Sequence, residues 1–193
     1  SNCEGALFLL KEFISKKARF LTWLPLSHSY EHTVQFVQIA LGARVFYAES
    51  IDKLIKNMGE CNPDIMTAVP RFYQNLYQKI NASFNKTKGL RKYLINKMLY
   101  LGKKVLFKNK LSNLEKVQDI ICEKLVRKKI KAQFGGSLKL FISGGGALDK
   151  DVGVFLSAIG LPTLQGYGLT ETSPVVSCNP KDDIRIDTVG PAF

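Results

Sequence analysis

Residues 138–168 have the sequence LKLFISGGGALDKDVGVFLSAIGLPTLQGYG, which carries the clearest fold signal in the chain. Residues 138–143 and 163–167 are short β-rich runs, and residues 149–159 between them have helical spacing. Glycines follow the first run at once and interrupt the end of the second. A strand, a glycine turn, a helix and a second strand in this order are typical of a parallel sheet covered by helices.

The same alternation continues toward the N-terminus. The strands that we predict there are 19–23, 43–47 and 64–69. The helices that we predict there are 34–41, 51–61 with Ser50 as its cap, and 70–82 with Pro70 in its first turn. There is no internal repeat and no Gly/Ser-rich linker. The sequence therefore predicts an α/β fold with a mostly parallel sheet flanked by helices and a basic helical insertion at 84–134.

The net charge of +12 is concentrated in this insertion. Residues 86–131 contain 15 Lys and Arg against three acidic residues, and the rest of the chain is neutral. Apolar residues recur there every three or four positions in two series, which predicts two amphipathic helices that pack with their apolar stripes inward. The first series is Leu90, Leu94, Met98, Leu101 and Val105, and the second is Leu114, Val117, Ile121, Leu125 and Ile130.

Three interpretations of the basic segment 86–131 remain open. A solvated helical hairpin packed on the core is favoured. A peripheral contact with an anionic membrane is the second, because lysines near such a surface contribute about 1 kcal/mol each. Nucleic-acid binding is the third, and we expect no nucleic-acid partner because no aromatic stacking platform or helix-turn-helix pattern accompanies the charge.

Composition excludes several classes of protein. The chain is 46% hydrophobic and 23% charged, as in ordinary globular domains. Its apolar runs are far shorter than the roughly 18 residues of a membrane span. The four cysteines are widely scattered, which excludes zinc-ribbon and thioredoxin motifs and fits reduced thiols. We expect a cytoplasmic protein, with a peripheral position at the inner membrane surface left open.

The first glycine loop contains Gly144, Gly145 and Gly146. Three successive glycines let a flat ligand approach the backbone and expose its N–H groups. A structural turn before a helix capped by Asp149 explains the loop equally well. Neither a Walker phosphate loop nor a Rossmann fingerprint is present in the sequence.

The second loop, 165–174, is more specific. Gly166 and Gly168 flank Tyr167, whose ring is thereby free to lie against a base, and the threonines that follow offer hydroxyl groups. Glu171 offers a hard oxygen ligand of the kind that Mg²⁺ prefers. The loop predicts a nucleotide with a metal ion, and the alternative is a polar turn with a solvated Glu171.

Both histidines of the chain lie in a third loop, 24–32, after the first strand. His28 and His32 are four residues apart and could share a helical face. A zinc site is disfavoured, because there is no H-E-x-x-H order and no third ligand.

Four segments together resemble the adenylate-forming enzyme superfamily, and most closely its long-chain fatty acid CoA ligases. They are LPLSH (24–28), TAVPRF (67–72), SGGGAL (143–148) and GYGLTETSPVV (166–176). The resemblance implies an ATP-dependent ligase that activates long-chain fatty acids as acyl-adenylates and passes the acyl group to coenzyme A. It further implies that residues 1–193 are an incomplete internal portion of the N-terminal adenylation domain.

The resemblance also implies roles for individual residues. Tyr167 would stack on adenine, and Gly144, Gly145 and Gly146 would line the adenine and acyl wall. Thr170 would hydrogen-bond the α-phosphate, and Glu171 would hold Mg²⁺ against it. His28 would lie beside the fatty acid carboxylate. The further binding candidates are Gln165, Gly166 and Gly168 in the nucleotide loop and Ser29, Tyr30 and His32 along the acyl channel.

The sequence also departs from the superfamily pattern. The Ser/Thr/Gly-rich phosphate loop, the ribose-binding aspartate and the C-terminal domain with its adenylation lysine are not among these 193 residues. We therefore expect the isolated chain to be inactive. The alternative function is a non-catalytic homologue that binds acyl chains or membranes.

Overall fold

A computed structural model describes residues 2–10 and 17–192. A six-stranded sheet has the order β2-β1-β3-β4-β5-β6. The strands are β1 (Arg19–Thr22), β2 (Arg44–Tyr47), β3 (Ile65–Ala68), β4 (Leu140–Ser143), β5 (Thr163–Gly168) and β6 (Val175–Cys178). The helices are α1 (Asn2–Leu10), α2 (Ser29–Ala40), α3 (Leu54–Cys61), α4 (Pro70–Asn85), α5 (Gly89–Leu106), α6 (Asn113–Cys122), α7 (Lys128–Ala132) and α8 (Lys150–Ala158).

The sheet is parallel from β2 through β5, as predicted, and only β6 runs antiparallel to its neighbour β5. Helices cover both faces. Phe20, Ile65 and Leu140 point to the face that packs against α1 and α2. The next residue along each strand points to the opposite face, toward α3, α4, α5 and α8. This double burial explains why the central strands are apolar runs rather than alternating ones.

Several boundaries differ from the predicted ones. Helix α2 begins at Ser29 rather than residue 34, because the His28 side chain caps it by accepting the Tyr30 backbone N–H. Helix α3 begins after Lys53, and Ser50 uses its carbonyl oxygen in the preceding turn instead of capping the helix. Strand β6 was not predicted. None of the helices in the described part of the chain is long and apolar enough to cross a membrane.

The basic segment forms α5, α6 and α7, with a π-helical turn at Glu123–Arg127 between the last two. Ser112 and Glu115 form a capping box that starts α6. Lys104 also holds Glu115 through an ion pair of 2.8 Å. These hydrogen bonds and the charge of Lys104 lower the pKa of Glu115 to about 2.

The inward apolar stripe predicted for the second helix is wrong. Of that series only Ile130 is buried, and Leu114, Val117, Ile121 and Leu125 are exposed. The helix packs instead through Cys122 and the buried Arg127. Arg127 donates hydrogen bonds to the carbonyl oxygens of Ala158 (3.0 Å) and Met98 (3.3 Å) and to Asp119 (2.8 Å). Charge-assisted hydrogen bonds therefore orient this helix, and apolar periodicity does not detect them.

Leu90 and Val105 of the first series are exposed as well. They lie near the two ends of α5, whereas Met98 and Leu101 in its middle are fully buried. The middle of α5 approaches α8 closely at Gly102, where a Cβ atom would lie 2.5 Å from the Ala158 carbonyl oxygen. The core contact of this helix is therefore limited to its central turns.

Candidate functional site

A cavity of about 350 Å³ opens at the carboxyl ends of β4 and β5, next to the start of α2. The two strands are paired neighbours, with Ser143 opposite Gln165. The loops that follow them therefore begin side by side, at the sheet edge where open α/β folds bind ligands. The predicted residues that line the cavity are His28, Ser29, Tyr30, Gly144, Gly145, Gly166, Tyr167, Gly168, Thr170 and Glu171.

The first glycine loop forms one wall of the cavity. A Cβ atom at Gly144 would lie 2.8 Å from the Tyr30 ring, so only glycine lets this ring pack against the loop. The Tyr30 hydroxyl donates to the Ile142 carbonyl oxygen at 3.2 Å. Ser143 also lines the cavity, and its Oγ is buried with no hydrogen-bond partner in the described structure. This wall therefore offers a bare backbone and an unused hydroxyl group.

The second loop forms the opposite wall. Thr170–Thr172 is a 3₁₀ turn, and the Thr172 hydroxyl closes it by accepting the Leu169 N–H at 2.9 Å. Gly168 has no room for a side chain, because the Pro174 carbonyl group lies against it. The Tyr167 side chain is half exposed. The exposed carboxylate of Glu171 has no hydrogen bond or ion pair within the described residues.

The start of α2 meets this turn directly. Ser29 Oγ lies 3.2 Å from Thr170 Oγ1. The His28 Nδ1 atom accepts the Tyr30 N–H at 3.2 Å, so the neutral imidazole carries its proton on Nε2. Nε2 is then a hydrogen-bond donor on a side chain that lines the cavity. The geometry places a donor, two hydroxyl groups and a carboxylate around one opening.

The residues at the apolar end of the cavity were not predicted. Leu9 and Leu10 of α1 and Val34 and Val37 of α2 line it. Helix α1 is tied to the second loop by Asn2, which donates to the Thr172 carbonyl oxygen at 3.1 Å and accepts the Val175 N–H at 2.5 Å. No local motif marks these contacts, because they join residues about 170 positions apart.

Three predicted residues do not line this cavity. Gln165 is buried and braces the loops: its Oε1 accepts the Leu148 N–H at 2.6 Å and its Nε2 donates to the Thr188 carbonyl oxygen at 3.0 Å. Gly146 lies beside Pro70. The exposed His32 ring packs against Phe36. The paths of the loops turn these three residues away from the cavity, and the spacing of residues in the sequence does not reveal these paths.

Glu171 is the predicted magnesium ligand, and its carboxylate could serve as a single protein ligand. No cluster of three His, Cys, Asp or Glu side chains that could hold a metal occurs in residues 2–10 and 17–192. Mg²⁺ commonly takes one or two protein carboxylates and completes its octahedron with substrate phosphates and water. The free Glu171 carboxylate at the mouth of the cavity has the chemistry of one such protein ligand.

The cavity thiol is not poised for chemistry. Cys178 lines the cavity, and burial raises its pKa to about 12. A thiol in that state is protonated at neutral pH and is a poor nucleophile. Cys178 is therefore a packing residue of the apolar end.

The chain is similar in sequence to acyl-CoA synthetases. Long chain acyl-CoA synthetase 6, peroxisomal, of Arabidopsis thaliana is 31% identical over 98% of this chain and 26% of its own length. Fatty acyl-CoA synthetase A of Dictyostelium discoideum is 30% identical over 89% of the chain and 25% of its own length. The chain thus spans about a quarter of the length of these curated relatives.

Solved structures share the fold. The N-terminal domain of FACL13 from Mycobacterium tuberculosis matches 99% of the chain with a TM-score of 0.62 and 15% identity, and the chain covers 38% of it. Apo MatB from Rhodopseudomonas palustris matches the whole chain with a TM-score of 0.60 and 22% identity, and 30% of it is covered. A family model described as AMP-binding enzyme matches residues 2–193. The chain therefore belongs to the AMP-binding enzyme family.

Proposed function

We propose that this chain is part of an ATP-dependent ligase that activates long-chain fatty acids as acyl-adenylates and transfers them to coenzyme A. The observation that carries the proposal is the cavity itself, which has polar loops at its mouth and apolar helices at its far end. A nucleotide and an acyl chain need these two environments side by side. Two relatives that cover nearly all of the chain are named long-chain or fatty acyl-CoA synthetases, which supports the choice of substrate.

ATP binds between the two glycine loops in this proposal. The half-exposed ring of Tyr167 stacks on adenine, opposite the bare backbone of Gly144 and Gly145. The Thr170 hydroxyl donates to an oxygen of the α-phosphate. Ser29 lies within hydrogen-bond distance of Thr170 and fixes the direction of that hydroxyl.

The fatty acid enters with its chain toward α1 and α2. Leu9, Leu10, Val34 and Val37 replace water around the first methylene groups, and each buried methylene contributes about 0.8 kcal/mol. His28 Nε2 donates to the carboxylate and holds it at the mouth of the cavity. The carboxylate is then placed next to the α-phosphate for in-line attack.

In the adenylation step a carboxylate oxygen bonds to the α-phosphorus, and the bond to the bridging oxygen breaks, so that pyrophosphate leaves with both electrons. The sulfur of coenzyme A then bonds to the acyl carbon, the thiol proton passes to water, and the bond from that carbon to the phosphate oxygen breaks, so that AMP leaves as the thioester forms. Glu171 would hold Mg²⁺, which when bound would supply positive charge against the developing oxyanions. The residues of this chain orient the two reactants, and the phosphate loop and adenylation lysine of the family pattern are not among these 193 residues.

The test is pyrophosphate release by a full-length protein that carries this chain, with ATP, Mg²⁺ and fatty acids of increasing length. We expect release that depends on the fatty acid and is fastest with long chains, and acyl-CoA when coenzyme A is added. Pyrophosphate release that occurs only with short carboxylic acids would contradict long-chain fatty acids as the substrate. Fatty acid binding without any pyrophosphate release would favour the non-catalytic acyl-binding homologue.

A further inference from the structure

Helix α6 presents apolar side chains to solvent. Leu114, Val117, Ile120, Ile121 and Leu125 lie on one side of the helix and its π-helical continuation, and between 42% and 68% of each side chain is exposed. We call these five residues the α6 apolar face. Five large aliphatic side chains on one side of a helix are unusual for a surface that faces only water.

The exposure follows from how the helix is held. Its opposite side is anchored by the ion pairs of Glu115 with Lys104 and of Asp119 with Arg127, and by the buried Cys122. Because these contacts fix the rotation of the helix, the α6 apolar face cannot turn toward the core. The orientation is therefore a built feature of the insertion.

The charges around the face are positive. Lys116, Lys124 and Lys128 are exposed on the same helical segment and form no ion pair within the described residues. A second cationic surface adjoins it. Leu125 also lines a cleft of about 690 Å³ between α4, α5 and α7, and none of the described residues that line this cleft carries a carboxylate. Its charged lining residues are Lys79, Arg91 and Lys129.

We propose that the α6 apolar face docks on an anionic lipid bilayer. An amphipathic helix that lies in the plane of the membrane interface has aliphatic residues on one side and lysines beside them. The aliphatic residues enter the boundary between headgroups and acyl chains, and the lysines meet the anionic headgroups. Charge complementarity selects a bilayer over a neutral protein partner. This inference is independent of the ligase reaction, because none of these residues lines the nucleotide cavity.

The experiment is flotation of the full-length protein with phosphatidylcholine vesicles, with and without phosphatidylserine. We expect binding only when phosphatidylserine is present, and release by high salt because salt screens the lysines. The combined variant Leu114→Ser, Val117→Ser, Ile121→Ser should bind at least tenfold more weakly. The control variant Ile39→Ser, Phe46→Ser, Ile51→Ser removes three exposed side chains that lie outside residues 86–131, and it should bind within twofold of the wild type.

A second pair of variants tests whether vesicle binding depends on the lysines beside the α6 apolar face or on the overall charge of the basic segment. One triple variant removes the lysines beside the α6 apolar face: Lys116→Gln, Lys124→Gln, Lys128→Gln. A second triple variant removes the same charge elsewhere in the basic segment: Lys86→Gln, Lys88→Gln, Lys103→Gln. The first variant should weaken vesicle binding severalfold more than the second. Equal losses in both triple variants would overturn a specific face. Salt-sensitive binding to duplex DNA without binding to vesicles would overturn the bilayer as the partner.

A tryptophan fluorescence measurement tests the same face in a variant that does not depend on the folding of the triple serine variant. The emission of Val117→Trp should shift to the blue on addition of phosphatidylserine vesicles, whereas that of Ile51→Trp should not. No shift at position 117, or a position 117 already buried in the full-length protein without vesicles, would overturn the proposal. A dimer broken by the serine variant would assign the face to a second copy instead.

Discussion

At the residue scale, the cavity wall contains a hydroxyl group that the protein itself does not use. Ser143 Oγ is buried without a hydrogen-bond partner in the described structure, and such a group costs about 1–3 kcal/mol. Ser157 Oγ on α8 is in the same state but does not line the cavity. The two serines therefore form a matched pair in which only one is placed to meet a ligand.

We predict that Ser143→Ala leaves the free energy of unfolding unchanged or raises it by up to about 1 kcal/mol, and raises the KM for ATP or for the fatty acid. Ser157→Ala should have the same effect on stability and none on either KM. Urea unfolding and steady-state kinetics of the full-length protein are the measurements. A Ser143→Ala variant that is less stable and has both KM values intact would show that the hydroxyl is structural.

Glu31 is a fully buried carboxyl group next to the site. Thr67 Oγ1 donates to its Oε2 at 3.0 Å, and its Oε1 has no partner in the described structure. Burial raises the pKa of Glu31. The folded state therefore keeps this proton to a higher pH than the unfolded chain does, and its contribution to stability is lost as pH rises above the ordinary carboxyl pKa of about 4.3.

We predict that Glu31→Gln removes this loss, so that stability falls less between pH 4 and 8 than it does in the wild type. The measurement is the urea midpoint as a function of pH. Glu60→Gln, at an exposed carboxylate of α3, should keep the slope of the wild type. Parallel slopes for Glu31→Gln and the wild type would mean that Glu31 titrates normally in the folded state.

At the element scale, Arg127 joins three helices. Its guanidinium group bonds α8 through Ala158, α5 through Met98 and α6 through Asp119. It is the last residue of the π-helical turn, and its side chain is buried. One cation thus replaces the apolar stripe expected in this helix.

We predict that Arg127→Ala lowers the free energy of unfolding by about 3 kcal/mol, because it leaves buried carbonyl groups and Asp119 without their donor. Lys128→Ala at the next, exposed position should change it by less than about 0.5 kcal/mol. Thermal or urea unfolding of the two variants measures the difference. A cost below about 1 kcal/mol for Arg127→Ala would place the packing energy of α6 elsewhere.

The elements differ in how far the sequence predicts them. The strands β1 to β5, their parallel arrangement and the two glycine loops follow from short apolar runs and glycine positions, which are local signals. Strand β6 pairs with the adjacent β5 and was not predicted, because its four residues form only a short run after Pro174. The apolar end of the cavity depends on contacts between distant parts of the chain, such as the hydrogen bond between Asn2 and Val175. The rotation of α6 was predicted wrongly, because ion pairs outweigh apolar periodicity there.

At the scale of the whole molecule, we propose that the chain forms one part of the ligase site. In that proposal it would contribute contacts for adenine, the α-phosphate and one metal ligand position, whereas the phosphate loop and adenylation lysine of the family pattern are not in this sequence. Each missing contact to developing charge costs roughly 3 kcal/mol in the transition state. Two or three such losses correspond to a rate about 10⁴ to 10⁶ lower.

We therefore predict that the isolated 193-residue chain folds but forms no measurable acyl-CoA, and binds ATP with a Kd in the millimolar range or weaker, about 4 kcal/mol of binding free energy or less. Circular dichroism, a pyrophosphate-release assay with palmitate and a calorimetric titration with ATP test the three statements. Turnover near one per second by the isolated chain would show that its own residues complete the site.

We propose that the loop from Gly166 to Pro174 binds the nucleotide and its metal ion. The most direct measurement is the kinetics of adenylate formation in the full-length protein with single substitutions in that loop. We predict that Glu171→Gln lowers kcat by about a hundredfold or more, since a metal ligand acts on the transition state. Tyr167→Ala should mainly raise the KM for ATP, because stacking on adenine is the same in the ground and transition states. Rates within twofold of the wild type for Glu171→Gln, with an unchanged KM for ATP in Tyr167→Ala, would show that this loop binds neither the metal ion nor adenine.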